Sequence, residues 1–161
     1  RGPEYVHTVV SCYKEAIASV LDGTFTEEKK DAWDERLATV FNRGFWDGYY
    51  QGQTIGEWNK NYGSCATEKK VLVGKVVKYF SKLGVAEVAV EASEFGVGDK
   101  LLVTGSATGA LWLTADEIRY DLKPVERALQ RQRVSIPVPE KVRPNDKLYK
   151  LITVQEIKEI K

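Results

Sequence analysis

The chain has 161 residues, of which 43% are hydrophobic and 29% charged, an ordinary composition for a globular protein and enough for one good core. A formal net charge of +1 gives the chain as a whole no electrostatic attraction to nucleic acids or anionic membranes. No apolar run approaches the roughly 20 residues that span a bilayer, and the first residues lack the layout of a secretory signal, so we expect a cytoplasmic protein. Because the sequence contains no methionine and opens with Arg1, Gly2 and Pro3, we interpret it as a fragment of a longer polypeptide.

Two amphipathic helices are predicted first. Residues 4–21 place apolar side chains at helical spacing, and Pro3 suits a first helical turn, where its missing N–H is not needed. Thr24 or Thr26 can cap a second helix. Each helix needs something against which to bury its apolar stripe: the other helix, the β region or a missing upstream domain. The first stripe consists of Val6, Val9, Val10, Tyr13, Ile17, Val20 and Leu21, and the second of Trp33, Leu37, Val40 and Phe41.

Residues 43–70 form a predicted connector in which aromatic residues are dispersed among glycines. Glycine at this density weakens any regular element, whereas the aromatic side chains indicate a segment that is pinned to a core. Aromatic residues are also enriched at protein interfaces. We therefore expect a contact surface for another domain or subunit at Phe45, Trp46, Tyr49 and Tyr50.

Residues 71–152 predict a β domain. Short runs of alternating apolar and polar residues are separated by turns at Gly98-Asp99, residues 105–109 and Pro144-Asn145-Asp146. About six short strands at such spacing are typical of a barrel. The predicted fold is therefore α+β: an N-terminal helical segment at residues 1–42, the connector, a small closed antiparallel β-barrel, and a C-terminal tail at residues 153–161.

No catalytic and no metal-binding residue is predicted. Cys12 and His7 lie five positions apart on a helix and so point about 140° away from each other, which separates a thiol from its base. Two cysteines and one histidine cannot alone supply the roughly four ligands of a structural zinc or an iron–sulfur cluster. The loop at residues 105–109 lacks the Lys-Ser/Thr ending of a phosphate-binding loop, and we interpret it as a hairpin.

Basic residues with aromatic residues beside them form the candidate binding site. Cations that follow a phosphate backbone, together with aromatic faces for stacking, are what recognition of single-stranded RNA requires. Acidic residues are interspersed among them, so a mixed solvated surface stays open as the alternative. The predicted RNA contacts are Arg43, Lys75, Lys78, Arg131, Arg133 and Arg143.

The segment FNRGFWDGYY at residues 41–50 resembles a signature of the collagenase-like peptidase family U-32. Four later runs resemble the C-terminal domain of that family: VGKV at 73–76, VGDKL at 97–101, IPVP at 136–139 and RPNDKL at 143–148. The resemblance covers nearly the whole chain in order. It implies a domain similar to the second domain of translation elongation factors, preceded in a longer parent by a catalytic domain. The two helices at residues 1–42 would then be the end of that upstream catalytic region, because residues 1–21 resemble its last helix.

Members of this family are described as proteases of unknown catalytic type. Several resemble enzymes of oxygen-independent hydroxylation, acting on tRNA, ribosomal RNA or ubiquinone precursors with cysteine-bound iron–sulfur centres. Those cysteines lie upstream in the family, so the resemblance implies a cofactor held outside this chain and carries over no catalytic residue.

We predict a non-catalytic C-terminal domain that positions a large substrate, RNA, for the upstream catalytic domain of the same polypeptide, without a membrane partner. Two alternatives stay open. The chain is part of a collagenase-like protease that acts on peptides, or it is a structural or oligomerisation module.

Overall fold

The computed structural model describes residues 1–45, 52 and 63–154. The chain divides into two compact units, Arg1–Glu68 and Lys69–Lys161, which are taken in turn. Neither of the described helices combines the length and the apolar content that crossing a bilayer requires.

The first unit contains a helical hairpin. Helix α1 spans Pro3–Leu21 and begins on the proline, as its fixed φ and missing N–H favour. Helix α2 spans Glu27–Thr39, and the side chain of Thr26 caps it by accepting the Lys29 N–H at 3.3 Å. The sequence left Thr24 and Thr26 open as caps, and the structure selects Thr26. The turn between the helices uses Gly23 at a φ of 66°, a left-handed conformation that glycine adopts without steric cost.

The described residues form ten strands in two sheets. An eight-stranded sheet has the order β5-β4-β10-β1-β2-β9-β6-β7, and β3 pairs with β8 in a separate two-stranded sheet. The pairings whose register is resolved are all antiparallel. The strands are β1 (Glu68–Phe80), β2 (Val85–Val90), β3 (Phe95–Gly96), β4 (Lys100–Gly105), β5 (Gly109–Thr114), β6 (Ile118–Tyr120), β7 (Lys123–Val125), β8 (Arg127–Ala128), β9 (Arg133–Pro137) and β10 (Lys147–Thr153).

The prediction of a closed β-barrel is wrong. The large sheet stays open, because its two end strands, β5 and β7, do not pair with each other within the described residues. Strand β7 is only three residues long and contains Pro124, which has no N–H to donate to a further strand and therefore suits an edge. Within residues 1–45 and 63–154, the chain forms two helices and a mostly open antiparallel sheet.

The inner face of the sheet carries the core. Val76, Val88 and Val134 are paired across β1, β2 and β9 and are at most 1% exposed. Phe95 and Ala128 of the small sheet belong to the same buried cluster, so the two sheets share one core. Each fully buried valine contributes about 1.5–3 kcal/mol relative to an exposed one, which fixes the face that the three strands turn inward.

Candidate functional site

The outer face of the large sheet brings several basic side chains together. Lys75 on β1 pairs with Ala89 on β2, which pairs with Arg133 on β9. Directly paired residues project their side chains from the same face, and neighbouring strands are about 4.8 Å apart, so Lys75 and Arg133 start about 10 Å from each other.

A second row runs parallel to the first. Lys78 pairs with Glu87, Glu87 with Ser135, and Ser135 with Arg119 on β6. We call the surface formed by Lys75, Lys78, Arg119 and Arg133, with the carboxylates between them, the cationic face. All four basic residues are exposed.

A β-bulge aligns the two lysines. The register of β1 against β2 shifts between Val76 and Lys78, so Val77 is the extra residue. Strict alternation would turn Lys78 inward with Val76, whereas the bulge places it on the same face as Lys75. Tyr79 turns inward instead and packs against the core. The Lys78 ammonium group lies 5.0 Å from the centre of the Phe80 ring, which adds an aromatic surface to the cationic face.

Carboxylates partly neutralise the cationic face. Lys75 Nζ lies 3.0 Å from Glu91 Oε1, Arg133 approaches Glu87 at 3.9 Å, and the guanidinium group of Arg119 contacts Glu117 at 2.7 Å. The cationic partners are 47–70% exposed. Ion pairs this exposed are worth about 0.2–1 kcal/mol each, so a polyanion can displace the carboxylates at small cost.

Two further predicted contacts lie on turns of the same unit. Arg131 has a φ of 72° in the turn before β9, and its backbone N–H donates to Val90 O at 2.7 Å. Arg143 opens the turn before β10, which is joined to β1 by two backbone bonds: Asn145 N–H to Val76 O at 2.9 Å and Val76 N–H to Asp146 O at 2.8 Å. Both arginine side chains are exposed at the ends of strands and not on the cationic face itself.

A buried carboxylate holds the Arg143 turn in place. Asp146 is 6% exposed and accepts hydrogen bonds from the Arg143 backbone N–H at 2.8 Å and from the hydroxyl of Thr108. Thr108 belongs to the β4–β5 hairpin, which Gly105 and Gly109 close as a pair, so the predicted hairpin is confirmed. Gly105 must lack a side chain, because a Cβ there would overlap the Asp146 carboxylate.

The remaining predicted contact residues lie in the helical unit or outside the described residues. Arg43 follows α2, and its side chain is exposed. Phe45 is 59% exposed. Trp46, Tyr49 and Tyr50, the other members of the predicted contact surface, lie outside the described residues.

The helical hairpin is fastened by a small polar cluster. Trp33 Nε1 donates to Glu15 Oε2 at 3.0 Å, and the Arg36 guanidinium group donates to the same oxygen. These hydrogen bonds, with that of Arg36 the larger influence, hold the pKa of Glu15 below its ordinary value. Burial raises the pKa of the neighbouring Cys12 thiol, which disfavours the reactive thiolate.

The described residues do not fit an iron–sulfur or zinc site. Cys12 is buried in the helical hairpin, whereas Cys65 is exposed after it, and both are free thiols. Residues 1–45 and 63–154 contain no group of three or more His, Cys, Asp or Glu side chains that could hold a metal ion.

Two residues of this site were not among the predicted contacts, although Arg119 belongs to the wider set of basic residues that the sequence places in this domain. Arg119 belongs to the cationic face only because β6 pairs with β9, and pairing between distant strands leaves no local sequence signal. Asp146 was named only as part of a turn. Its position three residues after Arg143 fits a side chain that binds the backbone of its own turn, which is a usable signal.

Comparison with known proteins gives the relationships of the chain. Residues 1–60 match the family model described as peptidase family U32. The chain is 59% identical over 150 residues to a collagenase of Porphyromonas gingivalis strain W83, covering 93% of this chain and 36% of that protein. A second P. gingivalis collagenase is also 59% identical, with 42% of its length covered. An uncharacterized protease of Methanocaldococcus jannaschii is 30% identical over 158 residues, covering 94% of this chain and 37% of that protein.

Among solved structures, the C-terminal domain of a Geobacillus thermoleovorans protein classed as a U32 peptidase matches with a TM-score of 0.47 and 21% identity. That match covers 49% of this chain and 90% of the solved domain. The chain spans only 36–42% of the length of the curated relatives. The family model and these curated relatives confirm the resemblance to peptidase family U32 that the sequence motifs indicated.

Proposed function

We propose that this chain is a non-catalytic, C-terminal region of a longer U32 protein, and that its cationic face positions a large polyanionic substrate, structured RNA, for catalytic residues elsewhere in that protein. The relatives extend far beyond the matched region, which leaves room for a separate catalytic part. The groups on the cationic face are amines, guanidinium groups and exposed carboxylates, which are suited to holding a substrate.

One observation carries the proposal: four basic side chains lie in two adjacent rows on one rigid sheet. A sheet holds side chains at fixed spacing, so cations on it can match successive phosphates with little loss of conformational freedom. Phosphate oxygens would replace Glu87 and Glu91, whose exposed ion pairs contribute only about 0.2–1 kcal/mol each. The aromatic ring of Phe80 supplies a stacking surface beside Lys78.

The test is the salt dependence of RNA binding, measured by fluorescence anisotropy with a labelled single-stranded oligonucleotide. Neutralising four phosphates predicts a slope of log affinity against log salt of about −2.8, since each phosphate on a single strand contributes about −0.7. Replacing Lys75, Lys78 and Arg133 together by Gln removes three of the four contacts and is expected to reduce the slope by about 2.

A matched control keeps the total charge change the same. Lys14, Lys29 and Lys30 are exposed on the helices, and their joint replacement by Gln is expected to leave the slope within experimental error. Equal loss of affinity in both triple variants would indicate nonspecific attraction, and a slope near zero in the unmodified chain would refute RNA binding.

A second function is favoured by the names of the relatives. Two proteins that are 59% identical to this chain are called collagenases, so the longer protein is a candidate for hydrolysis of collagen-like peptides, with this region binding the peptide. Gelatin zymography distinguishes a peptide-binding region of a protease from a region that cleaves peptides itself. Cleavage by the full-length protein, but not by this chain, supports a peptide substrate, and cleavage by the chain alone would refute a non-catalytic role.

The cofactor and compartment follow as parts of the same proposal. The family resemblance implies an iron–sulfur cluster in the longer protein, and we place its cysteine ligands outside this chain, because Cys12 and Cys65 are in different environments and have no grouped partners among the described residues. Two free thiols are compatible with a reducing cytoplasm.

A further inference from the structure

Helix α1 exposes its apolar face. Its apolar side chains at positions 6, 10, 13, 17, 20 and 21 recur at spacings of three and four residues and form a stripe about 100° wide. We call this set the α1 stripe. Its members are 49–80% exposed: Val6, Val10, Tyr13, Ile17, Val20 and Leu21.

The opposite side of α1 packs within the helical hairpin. The buried residues of α1 are Thr8, Cys12 and Ser19, all small and mostly polar. Cys12 lies against the Trp33 backbone, with Sγ 4.0 Å from the Trp33 carbonyl oxygen. The hairpin is therefore built on the polar side of α1, and the larger apolar side chains are left outside it.

Such a face is unusual for a protein surface. Single exposed apolar residues are common, but a contiguous apolar patch marks a surface that contacts something else. Helix α2 provides a contrast, because its exposed positions are mainly Glu, Asp, Lys and Arg, and its mean hydropathy is low for that reason. The difference between the two helices indicates that water is not the final environment of the α1 stripe.

We propose that the α1 stripe packs against an apolar surface of the remaining part of the longer U32 polypeptide. Three observations favour this occupant. The chain covers only 36% of a relative to which it is 59% identical, so most of that protein lies outside it. The family match is confined to residues 1–60, which contain α1, so the stripe belongs to the segment that the family model describes. The stripe itself contains no charged side chain, as a permanently buried contact requires.

The experiment measures thiol accessibility at the stripe. In a Cys65→Ser background, Ile17→Cys places a probe in the middle of the stripe, where the native side chain is 59% exposed, while Cys12 stays buried. Maleimide labelling is followed by mass spectrometry of the modified peptide. We expect fast labelling in this 161-residue chain and labelling about tenfold slower or more in the full-length protein, where the probe reacts only through local opening.

Lys30→Cys is the matched control, since the Lys30 side chain is 53% exposed on the charged helix α2. It is expected to label at the same rate in both proteins. Equal rates for Ile17→Cys in the chain and the full-length protein would overturn the proposal. Slow labelling in the chain itself would also overturn it. If the protection did not depend on protein concentration, another segment of this chain would cover the stripe, and if the protection increased with concentration, a second copy would cover it.

A second variant covers the case in which the probe disturbs packing. Ile17→Asp is expected to lower the melting temperature of the full-length protein while leaving that of the chain unchanged, because only the former buries the new charge. This inference rests on the chain being part of a longer protein. It does not depend on RNA, since Ile17 is not on the cationic face, so the labelling and salt experiments can fail separately.

Discussion

The buried carboxylate of Asp146 offers a quantitative test of how the sheet unit holds its Arg143 turn. Asp146 accepts two hydrogen bonds, one from the Thr108 hydroxyl and one from the Arg143 backbone N–H. Hydrogen bonds to charged groups contribute about 1.5–3 kcal/mol each. We therefore expect Asp146→Ala to lower the free energy of unfolding by about 3–6 kcal/mol, and Thr108→Val, which removes one of the two hydrogen bonds, by about half as much.

Gly105→Ala tests the same geometry from the other side of the contact. A Cβ at residue 105 would overlap the Asp146 carboxylate, which cannot move away without losing its two donors. Overpacking of this kind costs about 1–3 kcal/mol. In an Asp146→Ala background the obstacle is absent, so the same Gly105→Ala substitution is expected to cost close to nothing.

The assay is urea unfolding of the four proteins of this double-mutant cycle, followed by far-ultraviolet circular dichroism. The expected coupling energy between positions 105 and 146 is about 1–3 kcal/mol, well above the roughly 0.5 kcal/mol within which independent sites add. Additive costs would show that the carboxylate does not lie over Gly105, and the account of the turn would then be wrong.

Three further predictions concern other parts of the chain. Because the pKa of Glu15 is lowered in the folded state, its exposed ion pair with Arg36 contributes about 0.2–1 kcal/mol to stability above the ordinary pKa of 4.5. That contribution is lost as the pH falls through the pKa of the folded state, and Glu15→Gln should abolish this step in acid titrations of helicity. Cys65 should react with a disulfide reagent at once, whereas buried Cys12, with its raised pKa, should react only after denaturant is added. Gly74→Ala would drive a Cβ into the backbone of β2 and should lower the urea midpoint far more than Gly96→Ala, whose nearest neighbour is 3.3 Å away; similar midpoints would contradict the close strand approach.

Local features of the fold could be predicted from the sequence because their causes are local. Pro3 begins α1, and Thr26 caps α2, since a proline ring and a hydroxyl act on the backbone within one turn. The prediction of sheet closure was wrong because closure depends on whether the two end strands, β5 and β7, pair with each other, and the alternation of apolar and polar residues does not specify which strands pair. Pro124 in β7 was available as a signal against closure, since it weakens any further pairing at that edge.

In the candidate site, too, features with local causes could be predicted from the sequence, and features that depend on strand pairing could not. Lys75, Lys78 and Arg133 were selected by charge, and the structure places all three on one face. Alternation alone put Lys78 on the wrong side of β1, because one bulge residue, Val77, reverses the order of faces after it. The register of β6 against β9 places Arg119 on the same face, which its charge alone could not show.

The two exposed surfaces of this chain call for different explanations because they differ in chemistry. A contact within one polypeptide is formed once and kept, so it gains most from burying apolar area, about 25 cal/mol per Å², and the α1 stripe has that character. A substrate must be released after each turnover, which favours exposed ion pairs that exchange one partner for another at small cost, and we propose this role for the ion pairs of the cationic face. Hydrophobic periodicity correctly predicted α1 as a helix, but the rule that apolar residues point inward assumes that the whole protein is present. The chain spans 36% of its relative, and we therefore propose that its exposed apolar face is where the rest of the longer protein attaches.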